Sequence, residues 1–450
     1  MSEAKSSVGA GVESRLSTAE PLRRREAMLH ETPASPPLKS TTGPLAHIKV
    51  LDLSRVLAGP WASQLLGDLG AEVIKIERPQ IGDETRHWGP PWLADGAGTA
   101  TKDAAYFFCC NRNKRSLTVD ITKAEGQAIV QQLAAQSDVV LENFKVGGLA
   151  SYGLDYASLK KINPKLVYCS ITGFGQDGPY ADRAGYDFLI QGMSGLMSVT
   201  GRADGEVGAG PQKVGVALVD VLTGMYATVA VQAALAHRDL LGYRAGDGQH
   251  IDIALLDVQV ACLANQAMNY LVSGKVPGRL GNGHPNIVPY QDFPTADGNM
   301  LLAIGNDGQF ARFCEIADRR EWISDARFST NAGRVENRAE LIPLLRQTTV
   351  MKTTAQWVAL LESAAVACGP INNLAEVFAD PQVQHRGLRL DMPHAAGGNA
   401  PQVANPINLS ATPVDYRHAP PLLGQDTESV LQSLGYDTQN IARMRAAGVV

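Results

Sequence analysis

The chain has 450 residues, 45% of them hydrophobic and 19% charged, with a formal net charge of −5. That length suits two domains, since single cores stop growing near roughly 250 to 300 residues. The slight acidic balance offers no basic surface for nucleic acid, and the composition is that of an ordinary soluble globular protein.

Met1 to Gly43 is rich in Ser, Ala, Glu and Pro without an apolar period, and it reads as a disordered N-terminal extension. Arg15 and the run Arg23, Arg24, Arg25 would suit an organelle transit peptide. Five glutamates in the same stretch argue against one, so the expected location is cytoplasmic, with the mitochondrial matrix as the alternative.

From His47 the pattern becomes regular. Ile48 to Leu53 reads as a buried strand, Ser54 to Pro60 as a loop, Trp61 to Leu69 as a short helix and Ala71 to Glu77 as a second strand. This βαβ unit predicts an α/β protein with a Rossmann-like parallel sheet covered by helices. Glu77 stands where a ribose-binding acid would lie, but Gly59, Gly67 and Gly70 do not make G-x-G-x-x-G. A loop rich in Gly, Trp and Pro runs from Pro79 to about Asp103. Beyond it lies N-R-N-K-R, whose Arg112, Lys114 and Arg115 are either an anion site or a solvated turn before a strand at Leu117 to Ile121. Thr122 to Gln136 fits an amphipathic helix and Asp138 to Glu142 the next strand. Asn143 and Phe144 follow it, at the strand end where open α/β sheets bind ligands.

Leu166 to Thr172 is another buried strand, stopped by glycines and a G-P turn. Farther on, Val214 to Val219 leads into Asp220, behind which Val221 to Ala236 carries no charge. An Asp entering such a helix is either an N-cap or a desolvated nucleophile whose carboxylate the helix N–H groups keep ionised. The stretch Val216 to Ala236 has the length of a membrane span, but its small residues and Asp220 favour a buried helix, so no membrane partner is expected. A strand at His250 to Leu255 and a helix at Val258 to Val272 precede a Gly/Pro-rich linker, residues 275–289. Residues 290–380 read as a smaller α+β domain, and 381–450 as a segment returning to the first domain with a last helix at Thr438 to Ala446. Six cysteines without a C-x-x-C pair and nine histidines without a metal spacing point to reduced thiols and no metal site.

Ten segments in order, among them V-L-D-L-S-R-V-L-A-G-P, G-D-E-T-R, N-R-N-K-R-S, V-L-E-N-F, S-I-T-G-F-G-Q-D-G-P-Y, R-A-G-Y-D, A-L-V-D and H-P-N-I-V-P-Y-Q, resemble the class III CoA-transferases. The resemblance runs from about Leu45 to the C-terminus. It leans toward the branch that includes succinate–hydroxymethylglutarate CoA-transferase and bacterial dicarboxylate CoA-transferases. It implies a CoA-transferase that moves CoA from an acyl-CoA, succinyl-CoA by this branch, to a free dicarboxylic acid. Acyl-CoA is the substrate, and no cofactor is tightly bound. Within that resemblance Asp220 is the nucleophile, Val56, Arg78, Asn143, Phe144 and Arg115 contact CoA, and Arg112, Tyr186, Asp187, Gly281 and Gly283 face the acyl groups. The glycines of the linker read equally as a hinge. Arg112, by its fork, is the candidate for the distal carboxylate of a dicarboxylic substrate. A cation that formyl-CoA transferase uses for CoA is Ser151 here, and extra residues lie between Gly201 and Asp220. Family members form an interlocked homodimer, which is the expected assembly. The alternative is an α-methylacyl-CoA racemase, but Tyr186 replaces that branch's histidine, and a phenol with a pKa near about 10 is a poor base at neutral pH. A non-catalytic CoA-binding protein lacks a reason for Asp220, and a nucleotide-dependent oxidoreductase needs the missing glycine fingerprint.

Overall fold

In this computed structural model the described residues are 43–239 and 246–450. The expectations for the N-terminal extension up to Thr42, for the helix beyond Asp239 and for the turn at Ala245 lie outside them. Strand β1 (Lys49–Asp52), helix α1 (Ala58–Asp68) and strand β2 (Glu72–Glu77) form the βαβ unit read from the sequence. Four more parallel strands extend it: β5 (Lys114–Thr118), β6 (Val139–Glu142), β7 (Val167–Thr172) and β8 (His250–Ala254). The order is β5-β2-β1-β6-β7-β8, so winding reverses between β1 and β6. In open α/β sheets a crevice opens at such a reversal, outside the strand C-termini.

The central strands are largely buried because both faces are covered, and the charged side chains they carry inward, Asp52, Lys75 and Glu77, are paired there. Alternate residues feed separate cores. Leu51, Val140 and Tyr168 join one core beneath helix α2 (Ala124–Ala135) and helix α3 (Tyr156–Ile162). Val50, Val139, Leu141 and Val167 join the other, beneath α1 and a long helix, Leu218–Asp239. These two helices meet at Gly224, where a Cβ would lie 2.6 Å from the Ala58 carbonyl oxygen and against Trp61. The long helix is sufficiently long and apolar to cross a membrane, yet half of its most apolar window is buried against the sheet and α1.

A third core forms around Phe293, Phe310, Phe313 and Trp357, against an antiparallel sheet of β9 (Tyr290–Pro294), β10 (Asn299–Ala303) and β11 (Ala367–Pro370). The C-terminal residues lie on the first sheet. The Asp426 N–H donates to the Ser116 carbonyl at 2.9 Å, the Asp120 N–H donates to the Val449 carbonyl at 2.8 Å, and Ile441 and Met444 enter the first core.

Three local expectations need correction. The loop after Pro79 contains a hairpin, β3 (Trp92–Ala94) with β4 (Ala100–Ala104), whose short strands alternation did not reveal. β5 begins at Lys114 rather than Leu117, because its charged residues are paired within the fold. The helix read across Val258 to Val272 is two helices, Leu255–Ala261 and Ala264–Ser273, broken where Ala264 takes a φ of 44°.

Candidate functional site

The chain leaving β1 is held by side chains rather than by a ladder. Buried Asp52 accepts from the Ser54 N–H at 2.9 Å, from the Ser54 and Ser63 hydroxyls at 2.5 Å each, and from Lys114 Nζ at 3.2 Å. Burial alone would raise its pKa, but Lys114, Lys75 and the hydroxyls hold it below the usual carboxylate range. Lys75 Nζ donates to the Ser54 carbonyl at 2.7 Å and pairs with Asp83 at 3.0 Å. Asp83 in turn accepts the Val56 N–H, at 3.3 Å from both oxygens. Val56 sits at a φ of 70°, a region a β-branched residue enters at a cost of about 1 to 3 kcal/mol, and these contacts offset it. Asn143, just past β6, closes the other side: its Oδ1 accepts the Arg55 N–H at 2.9 Å and its Nδ2 donates to the Arg55 carbonyl at 2.7 Å.

Between these two segments, at the reversal point, opens a cleft of about 230 Å³. Its walls are Arg55 to Ala58, Asn143 to Val146, the end of β7 from Ile171 to Gly173, and Arg183 to Tyr186, with Asp220 in the lining. Gly173 and Gly185 cross backbone to backbone. A Cβ on Gly173 would lie 2.6 Å from Gly185 Cα, so only glycine at both positions lets the A-G-Y-D stretch reach the strand end.

Asp220 lies in the first turn of its helix rather than at its cap, because the helix starts two residues earlier, at Leu218. The carboxylate at the helix N-terminus is that of Asp187, which accepts the Val219 N–H at 2.8 Å through Oδ1 and Gln191 Nε2 at 2.7 Å through Oδ2. The Asp220 carboxyl is therefore not held low by helix N–H groups, as the sequence suggested. Burial, with the like charge of Asp187 second, pushes its pKa up to about 7. Burial also raises Tyr106, as do the neighbouring Asp220 and Asp187 carboxylates among other groups.

Of the residues singled out from the sequence, Val56, Asn143, Phe144, Tyr186 and Asp220 line this cleft, and Asp187 stands behind it. Arg78 is exposed at the end of β2 and does not line it. Arg112 is a correction. Only 4% exposed, it grips Asp68 with both arms of its fork, at 2.9 and 2.5 Å, and donates to the Val403 carbonyl at 2.8 Å, leaving no free face for a substrate carboxylate. Arg115 is paired with Glu72 at 3.1 Å and lies near Asp426 at 3.7 Å, on the edge strand of the sheet. The N-R-N-K-R stretch is thus neither a solvated turn nor a free anion site; its cations neutralise the protein's own acids. Gly281 and Gly283 lie outside the cleft lining, and the Gly281 N–H donates to the Gly201 carbonyl at 2.9 Å.

Sequence reading gave Arg183 no role, although the R-A-G-Y-D stretch that begins with it was noted, and it missed Lys145. Both line the cleft, and neither has a carboxylate partner among the described residues. Arg183 stacks on Phe174 and Tyr180, 5.1 and 4.6 Å from the ring centroids. It also missed Lys75 and Asp83, although the G-D-E-T-R stretch that contains Asp83 was noted. A second cavity of about 280 Å³ lies beyond Lys145 and Val146. In its wall Ser170 Oγ meets His250 Nε2 at 2.9 Å, and burial pushes Glu142 up to about 6. Among the described residues no group of three or more His, Cys, Asp or Glu is placed to hold a metal.

Comparison with known proteins gives one answer. The model of CoA-transferase family III matches residues 45–427. The chain is 53% identical over 393 residues to succinate–glutarate CoA-transferase of Agrobacterium fabrum, covering 87% of this chain and 96% of that one. It is 45% identical over 408 residues to human succinyl-CoA:glutarate CoA-transferase, covering 90% of each. A solved CaiB/BaiF family protein from Brucella suis superposes with a TM-score of 0.76 at 50% identity, covering 88% of this chain and all of that one. With a matching family model over most of its length, and relatives 45 to 53% identical across nearly all of it, the chain belongs to CoA-transferase family III.

Proposed function

We propose that this CoA-transferase exchanges CoA between succinyl-CoA and a free dicarboxylic acid of the glutarate class, with Asp220 as the covalent nucleophile. The observation that carries the reading is the cleft itself. Of the two carboxylates in its lining, Glu84 is paired with Arg55 at 2.5 Å, and Asp220 has no cation partner among the described residues. The relatives' names supply the acids.

In the first step the ionised Asp220 carboxylate attacks the thioester carbonyl, the C–S bond breaks, and CoA thiolate leaves behind a mixed anhydride. The thiolate attacks the aspartyl carbonyl, releasing the donor carboxylate and forming an aspartyl–CoA thioester. The acceptor carboxylate attacks that thioester and expels the thiolate again. The thiolate then takes the acceptor acyl group from the second anhydride and frees Asp220. A thioester is exchanged for a thioester, so no ATP and no net proton is needed. Burial makes the carboxylate a stronger nucleophile once ionised, because water does not solvate it fully. Arg183 and Lys145 are the cations in the lining that can meet CoA phosphates or the second carboxylate of the acceptor. Proton exchange at an α-carbon would need a second base where Tyr186 stands, which disfavours a racemase.

The same reading takes residues 44–274 as the CoA-binding domain, 290–380 as the small domain, and the assembly as an interlocked homodimer. Large apolar side chains left exposed on two helices, Val229 at 65% and Leu271 at 71%, support a partner. Incubation with succinyl-CoA and glutarate should yield glutaryl-CoA and succinate. Addition of hydroxylamine should leave a hydroxamate at Asp220 by intact mass, absent from Asp220→Ala. No new thioester with any dicarboxylate, together with solvent deuterium entering the α-position of an acyl-CoA, would replace this reading with the racemase.

A further inference from the structure

The helix that carries Asp220 starts without a capping residue of its own, and the groups that fix its first turn come from another helix, Asp187–Met193. Asp187 Oδ1 accepts the Val219 N–H at 2.8 Å, one residue before Asp220. Asp187 Oδ2 accepts from Gln191 Nε2 at 2.7 Å, and Gln191 Oε1 accepts the Val214 N–H at 2.9 Å. Gln191 is fully buried. One carboxylate and one amide, a helical turn apart, therefore grip the chain at two points on the approach to Asp220. We propose that Asp187, locked by Gln191, is a positioning residue for Asp220: it fixes the first turn of the Asp220 helix and places a second carboxylate next to the nucleophile. The proposal rests on Asp220 being the nucleophile.

The two functions are separable. Hydrogen bonding fixes the turn, and an amide oxygen can accept the Val219 N–H as a carboxylate does. The charge acts through space on Asp220, which burial already disfavours as an anion. The other ionisable groups around the cleft are Tyr106, itself raised by burial and then by Asp220 and Asp187, the Arg55–Glu84 pair, Arg183, Tyr186 and Lys145. Cys109 and Cys110 lie beside Tyr106. After burial, Asp187 is the group whose charge bears on Asp220.

The test compares pH profiles of kcat/KM for succinyl-CoA with glutarate in wild type, Asp187→Asn and Gln191→Leu. Transfer needs ionised Asp220, so wild-type activity should fall as pH drops through about 7. In Asp187→Asn the acid limb should move to lower pH by on the order of one unit, with kcat reduced because the Gln191 contact is lost. In Gln191→Leu the limb should stay in place while kcat falls, since the charge remains and the grip is loosened. Circular dichroism checks that each variant is folded, and if Asp187→Asn does not fold, Asp187→Glu, which keeps the charge, should retain the wild-type limb. An unmoved limb in folded Asp187→Asn, or a moved limb in Gln191→Leu or Asp187→Glu, would overturn the proposal. Hydroxylamine trapping in wild type is read separately: no hydroxamate at Asp220 would sink the nucleophile assignment itself, whatever the profiles show.

Discussion

Asn143 and Arg55 exchange two hydrogen bonds, the Arg55 N–H to Asn143 Oδ1 at 2.9 Å and Asn143 Nδ2 to the Arg55 carbonyl at 2.7 Å. A single side chain past β6 thus supplies the ladder that the chain past β1 cannot find. It ties together the two segments that line the cleft at the point where the sheet reverses. Asn143→Ala would leave both Arg55 backbone groups without their side-chain partner and leave the Val56 N–H contact to Asp83 among the remaining ties on this loop. The expected result is a KM for succinyl-CoA raised roughly tenfold, equivalent to about 1.4 kcal/mol, with kcat affected less. Steady-state kinetics in both directions would check it; an unchanged KM would show that this loop does not contact CoA.

Asp220 itself should cost stability at the pH where it works. Its folded pKa, about 7, lies above the unfolded value near 3.8. Its contribution is therefore fully present below about pH 4 and is lost as pH rises through 7, because ionising the folded carboxyl is harder than ionising the unfolded one. Allowing for partial exposure, the loss is on the order of 3 kcal/mol. Asp220→Asn should melt above wild type at pH 8, and the gap should close as the pH is lowered toward 4. Melting curves across that range decide it; a gap independent of pH would mean that the asparagine gains are unrelated to ionisation.

Arg112→Ala should unfold the protein more readily rather than alter its choice of acid. Asp68 is fully buried, and loss of the fork would leave it with Asn113 and Asn405 as its remaining side-chain partners. Breaking one side of a buried pair costs about 3 to 5 kcal/mol, and the two amides reduce that to about 3. Urea unfolding should show the loss, while the ratio of kcat/KM for glutarate over a monocarboxylate of equal length should stay near that of wild type. A collapse of that ratio with stability intact would return Arg112 to the substrate.

Lys75 and Asp83 form a buried pair that bears on the cleft, since Lys75 holds the Ser54 carbonyl and Asp83 the Val56 N–H. Lys75→Met alone leaves Asp83 and Asp52 with less compensation and should cost about 3 to 5 kcal/mol. Asp83→Leu in the same chain should recover part of the stability, because one of the stranded charges is gone. It should not recover acyl-CoA binding, because the Val56 N–H has lost its acceptor. Chemical denaturation and binding of a non-hydrolysable CoA thioether separate the two quantities; recovery of both would deny this pair any part in holding the loop.

Much of the sheet was legible in the sequence. The runs Ile48 to Leu53, Ala71 to Glu77, Asp138 to Glu142 and Leu166 to Thr172 are rich in Val, Ile and Leu because helices cover both faces of a parallel sheet, and that coverage leaves a local mark. The lone acid before an uncharged helix was equally visible, and resemblance gave Asp220 the role proposed for it. Partners were not visible. Arg112, Lys114 and Arg115 looked like free cations because Asp68, Asp52 and Glu72, the acids they neutralise, lie more than forty residues away in β1, α1 and β2. Likewise the carboxylate at the N-terminus of the Asp220 helix was misplaced by sequence, since Asp187 reaches it only after residues 188–218 have folded back. Local pattern determined which segments become strands and helices, because periodicity and capping act over a few residues. Tertiary structure alone decided which charges are cancelled and which remain to act, because pairing and desolvation depend on what packs against a group rather than on its neighbours in the chain.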